Sequence, residues 1–99
     1  QPFHIDADAG AASHFGGLIA SGLHTLSLAS RLVQAAKPWG TNAMGSPGIE
    51  QLSWNRPVRP GDRIHVVIEI QAVQPSRSKP DRGVASLQFE IFNQADELV

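Results

Sequence analysis

One long, charge-poor helical stripe followed by alternating strand segments, with only turns between them, constrains this chain more than any other feature. Over 21–36, Leu26, Ala29, Val33 and Ala36 recur at helical spacing, and Leu23 and Ser30 lie on or beside that stripe. A helix this poor in charge is expected to be buried on most sides. Ser21 or Gly22 caps it, and Pro38 and Gly40 end it. Upstream, Asp6 is a good N-cap for a short helical segment at 7–12, although Gly10 weakens it. Between the two, Phe15-Gly16-Gly17 form a loop whose paired glycines tolerate positive φ.

Beyond the Gly/Ser/Pro loop at 45–48 the period changes from 3.6 to 2. The stretch 49–58 reads as a strand, with Pro57 confining its last part to an edge or an end. Pro60-Gly61-Asp62 is a turn. Ile64, Val66, Ile68 and Ile70 then alternate with His65, Val67, Glu69 and Gln71. After a polar loop at 75–83, Ala85, Leu87, Phe89 and Ile91 form a second alternating face, and 93–96 reads as the next turn. A helix, then at least three strands with no helix between them, favours an antiparallel α+β arrangement with the long helix packed on the sheet.

Length and composition narrow the function classes. At 99 residues the chain is one domain with a single modest core. A formal charge of −1 and a pI near 6.4 lack the basic footprint of a nucleic-acid binder. No apolar run approaches the length of a membrane span. The absence of cysteine removes disulfides, thiolate catalysis and the usual zinc motifs, and fits the expected cytoplasmic location. The opening Gln1-Pro2 is turn-like and the closing 96–99 resembles the first residues of a strand. The domain is therefore expected to be truncated at both ends, within a longer protein.

Two stretches carry chemistry: Gln1-Pro2-Phe3-His4-Ile5-Asp6 and Phe15-Gly16-Gly17-Leu18-Ile19-Ala20-Ser21-Gly22-Leu23-His24-Thr25. The second is a glycine-bearing loop running into the helix. Unpaired N–H groups and the positive dipole end make a helix N-terminus suited to a developing oxyanion. A histidine held close by can move a proton. Together they point to acyl-group chemistry.

Four separated motifs in register resemble the MaoC-like dehydratases, a family that includes the (R)-specific enoyl-CoA hydratases. They are Pro2-Phe3-His4-Ile5-Asp6, Phe15 to Thr25, Pro57-Val58-Arg59-Pro60-Gly61-Asp62 and Ser76-Arg77-Ser78-Lys79-Pro80-Asp81-Arg82-Gly83. The resemblance implies a hotdog fold, an antiparallel sheet wrapped around a long central helix. It also implies a homodimer, or a higher oligomer built of dimers, with active sites near the interface. Its hydratases add water to trans-2-enoyl thioesters with an aspartate and a histidine five residues later. His4 matches the histidine, and the aspartate is expected just upstream of Gln1, outside this chain. The backbone N–H that holds the thioester carbonyl falls on Gly22, next to Ser21, and a serine of the hydratase motif falls on Ser30; these three are the expected substrate-binding residues. The substrate would be an acyl-CoA thioester, with coenzyme A entering as part of the substrate and no separate cofactor.

Each residue also has a plainer reading. Ser30 on a helix stripe is commonly a packing residue bonded back to a carbonyl one turn earlier. His24 sits in the first helical turn, where the dipole disfavours a charged imidazole. His14 and His65 fit no catalytic spacing and read as surface residues. His4, Asp6 and Asp8 are metal-ligand types, but Asp6 is committed to capping and no second histidine follows at helical spacing, so no metal site is expected. Arg77, Lys79 and Arg82 could meet the phosphates of coenzyme A; a solvated hairpin loop explains them better. The leading expectation is a lyase of fatty-acid metabolism, an enoyl-CoA hydratase or 3-hydroxyacyl-CoA dehydratase. The alternatives are an acyl-CoA thioesterase on the same fold and a non-catalytic hotdog subunit that binds acyl thioesters or pairs with an active partner.

Overall fold

The computed structural model describes residues 1–36, 38, 40, 45–79 and 81–99; Pro80 of the basic-loop motif lies outside the described residues. A 3-10 turn, Pro2–His4, leads into α1 (Ala7–Ala12), then α2 (Gly22–Ala36), β1 (His65–Pro75) and β2 (Gly83–Phe92). Proline at the start of the first turn costs no hydrogen bond and fixes a helical φ. Asp6 caps α1, its Oδ1 accepting the Asp8 N–H at 3.0 Å. Ser21 caps α2: its Oγ accepts the His24 N–H at 3.1 Å and its carbonyl accepts the Thr25 N–H at 3.0 Å.

Burial on α2 is one-sided, which corrects the expectation of a helix covered on most sides. Thr25, Ala29 and Val33 are buried and Leu26 is half-buried, whereas Leu23 is 73% exposed and Ala36 is exposed. The charge-poor surface is present, but among the described residues its partners are β1 along one face and Trp54 at Gly22. Leu32, Val33 and Ala36 line that junction with Ile64, Val66 and Ile68.

β1 and β2 pair antiparallel in a register that sets Val66 against Ile91, Ile68 against Phe89 and Ile70 against Leu87. Polar partners meet likewise, Glu69 facing Gln88. Matched period-2 patterns thus fix the register, since a one-residue slip would turn every apolar side chain over. The ladder shifts between Ile70 and Ala72, and Gln71 is the extra residue of a bulge. Gly83 starts β2 where a Cβ would stand 2.7 Å from the Gln74 carbonyl oxygen, so only glycine permits this approach.

The segment 49–58 does not join this ladder, a second correction. It forms no regular element and bends at Glu50 and Arg56; Asn55 donates its N–H to the Val99 carbonyl at 3.0 Å and Val58 accepts the Ala20 N–H at 2.8 Å. Val99 in turn donates to the Ile91 carbonyl at 2.8 Å, and Phe92 bridges Leu98. The segment's partners are therefore the α2 approach and the C-terminal residues. Pro57 supplies no N–H for a ladder.

A polar brace joins the two turns at the base of the hairpin. Gly61, at φ 84°, lets Asp62 fold back so that its Oδ2 accepts the Arg59 N–H at 2.9 Å. Gln94 donates to Asp62 Oδ1 at 3.0 Å and accepts the Arg63 N–H at 2.9 Å. The Arg59 backbone bond first, and the Gln94 amide second, hold the Asp62 carboxyl below its ordinary value of 3.8.

The molecule measures 55 × 24 × 20 Å, with a radius of gyration of 16.8 Å. A compact domain of this length has about 13 Å. The difference is the hairpin, whose far half extends away from α2. There Ile70 and Val73 are each 66% exposed.

Candidate active site

The site is assembled around the backbone of one buried residue, Ile19. Its N–H donates to the Phe3 carbonyl at 3.2 Å, which joins the first turn to the approach to α2. Its carbonyl lies 3.0 Å from His4 Nδ1. A carbonyl can only accept, so Nδ1 carries the proton and Nε2 is the ring atom left for chemistry. The next residue, Ala20, donates to the Val58 carbonyl and fastens the same strand to the 49–58 segment. Sequence-distant pieces thereby converge on the start of α2.

A cavity of about 410 Å³ opens at this convergence. His4 and Gly22 both line it, with Phe3, Phe15, Trp54 and Val58 among its apolar walls. The size lies within the range of small-ligand sites, as does the pairing of apolar walls with few polar groups. Gly22 is the first helical residue, so its N–H has no intrahelical acceptor and sits at the positive end of the dipole. The indole of Trp54 lies flat against this glycine: a Cβ there would stand 2.7 Å from Trp54 Cδ2 and Cζ2. Thr25, buried one turn further on, also lines the cavity and donates its hydroxyl to the Ser21 carbonyl at 3.2 Å.

His4 and Gly22 thus line the same cavity. Ser21 adjoins Gly22, its oxygens engaged in capping and in the Thr25 bonds. Ser30 is exposed further along α2 and is not part of the cavity wall. His14 is exposed with its ring 4.0 Å from that of Phe15. His65 is exposed on β1, its Nε2 3.8 Å from Asp96 Oδ1. Arg77, Lys79 and Arg82 lie exposed between the strands, with Arg82 Nε 3.3 Å from Asp81.

Sequence reasoning missed the Ile19 carbonyl, Thr25 and Trp54. A backbone acceptor leaves no mark on residue identity, so no signal for Ile19 existed. Trp54, the one aromatic in the stretch 49–58, was a usable signal.

Comparison with known proteins gives this geometry a family. The family model described as the MaoC like domain matches residues 1–88. This chain belongs to the MaoC-like domain family. The MaoC-like dehydratase from Rhodospirillum rubrum is 41% identical, with a TM-score of 0.91 over all of this chain and 67% of that one. A monoamine oxidase regulatory protein from Archaeoglobus is 30% identical, with a TM-score of 0.88 over all of this chain and 65% of that one. The (R)-hydratase from A. caviae involved in PHA biosynthesis is 27% identical, with a TM-score of 0.72 over 99% of this chain and 68% of that one. The MaoC-like chain therefore spans about two thirds of the length of these relatives. Its fold is the α+β hotdog of a hydratase and dehydratase family. Among the described residues, no helix is long and apolar enough to cross a membrane.

Proposed function

We propose that this MaoC-like domain hydrates trans-2-enoyl-CoA thioesters to (R)-3-hydroxyacyl-CoA thioesters, or runs the reverse dehydration. The observation that carries the reading is the shared cavity: an oriented imidazole, His4, and the helix-start residue Gly22 line one apolar-walled space. The Gly22 N–H would hold the thioester carbonyl and stabilise the enolate-like charge that develops on its oxygen. His4 Nε2 would exchange a proton with the attacking water or the α-carbon, dividing the work with a carboxylate just upstream of Gln1. The water oxygen bonds to the β-carbon as a proton reaches the α-carbon. Ser21 supports the Gly22 position through its cap; Ser30, proposed as a substrate contact on the motif match alone, lies outside this cavity.

The thioesterase alternative needs a carboxylate base in the cavity. Asp6 is engaged at the α1 cap and does not line that space, so it does not supply that base. The non-catalytic alternative draws support from the Archaeoglobus relative, whose name is that of a regulatory protein. A homodimer acting in the cytoplasm completes the proposal; the exposed apolar residues Val67, Ile70 and Val73 on the hairpin support association.

The deciding experiment follows loss of enoyl-thioester absorbance with crotonyl-CoA and with a long-chain enoyl-CoA, using the full-length protein and its His4→Ala variant. Loss with the native protein and none with the variant supports hydration through His4. Full activity in the variant overturns the role of His4, and no loss with either thioester favours the non-catalytic reading.

A further inference from the structure

Beyond its turn, the Asp62 brace and the Val58 contacts, the motif at 57–62 sends one side chain to a residue of the cavity wall. Arg59 Nη2 donates to the Phe15 carbonyl at 2.8 Å, across 44 residues of sequence. Its Nη1 lies against Gly17, 3.3 Å from where a Cβ would stand. The guanidinium thus bonds the loop between α1 and α2 at Phe15 and lies beside it at Gly17. Arg59 is itself held, since its N–H is bound by Asp62, which Gln94 braces.

The gripped loop matters because of what it touches. Phe15 lines the cavity, its ring centroid 5.3 Å from that of Phe3. Phe3 meets the His4 imidazole edge-on at 4.5 Å. A contiguous series therefore runs from Gln94 through Asp62, Arg59, Phe15 and Phe3 to His4. Arg59 is not among the cavity-lining residues, and its side chain bonds one that is, Phe15.

We infer that Arg59 is a positioning residue, which fixes the Phe15 wall and through Phe3 the orientation of the His4 ring. The kinetic half of this inference rests on the hydration reading above; the geometric half does not. A planar guanidinium with several donors suits the task, because it bonds the carbonyl while lying flat against a glycine. A lysine could reach the carbonyl but would leave the Gly17 side unsupported.

The test compares Arg59→Met and Arg59→Lys in the full-length protein by enoyl-CoA kinetics and by the NMR resonances of the His4 ring in the substrate-free protein. For Arg59→Met, kcat/KM is expected to fall about tenfold, with a raised KM and shifted His4 resonances in folded protein. Arg59→Lys should recover part of both. If Arg59→Met does not fold, Gly17→Leu, which displaces the guanidinium without removing it, should shift the same resonances. Unmoved His4 resonances in whichever variant folds would overturn the inference. So would a loss of activity that merely tracks the folded fraction at unchanged KM. If the native protein hydrates no enoyl thioester, the hydration reading fails while the His4 resonances still decide whether Arg59 positions the ring.

Discussion

The two ends of this molecule are built on opposite principles. At the start of α2, backbone bonds join segments far apart in sequence: Phe3 to Ile19, Ala20 to Val58 and Asn55 to Val99. Buried Ile19, Val58 and Val99 cluster at that end. In the far half of the hairpin, each strand bonds only its neighbour, and Ile70, Val73 and Val84 remain exposed. Stability and site geometry thus concentrate where distant segments cross, and the hairpin tip contributes apolar surface that nothing among the described residues covers. Substitutions of similar size should therefore differ greatly in effect between the two ends.

The largest effect should come from His4→Ala, which removes the proposed proton-transfer group. Hydration is expected to fall by about 10²–10⁴-fold, while the loss of one hydrogen bond, about 1 kcal/mol, lowers the melting temperature by only about 4–8 °C. Assays of kcat beside thermal melts separate the two. Next is Gly22→Ala, whose Cβ collides with the Trp54 indole and should cost about 1–3 kcal/mol by overpacking. Adding Trp54→Ala should return part of that loss, and purely additive penalties in denaturant melts would deny the contact.

A smaller effect is expected for Asp62→Ala, which cuts the brace between the turns. The carboxyl titrates below its ordinary value in the folded state, so its contribution is fully present above pH 3.8 and is lost as pH falls through the lowered native value. The variant should be less stable than the native protein by under about 1 kcal/mol at neutral pH, a partly exposed group being screened by solvent. The difference should vanish in strong acid. The smallest effect should be Val73→Thr, within about 0.5 kcal/mol. A larger loss in the full-length protein would mean that the hairpin face is covered there, and would blur the contrast between the ends.

The contrast also explains what could be read from the sequence. Both helices and the hairpin rest on local signals: Asp6 and Ser21 as caps, and matched alternation on either side of 75–83. The segment 49–58 has the composition of a strand, but its pairing depends on Val99, 44 residues away from Asn55, and no local pattern records that. At the site, His4 and Gly22 were legible through the family motifs. Arg59 was legible only as part of a turn, because its grip on the Phe15 carbonyl exists only once the chain has folded.

The bond from His4 Nδ1 to the Ile19 carbonyl has a consequence for experiments of another kind. An alanine scan exchanges side chains and leaves every main-chain oxygen in place, so it would pass over this determinant of ring orientation. Replacing the amide between Ile19 and Ala20 with an ester weakens that oxygen as an acceptor and deletes the Ala20 donor together. Chemical synthesis of the backbone, rather than a mutant library, is the tool that reaches it.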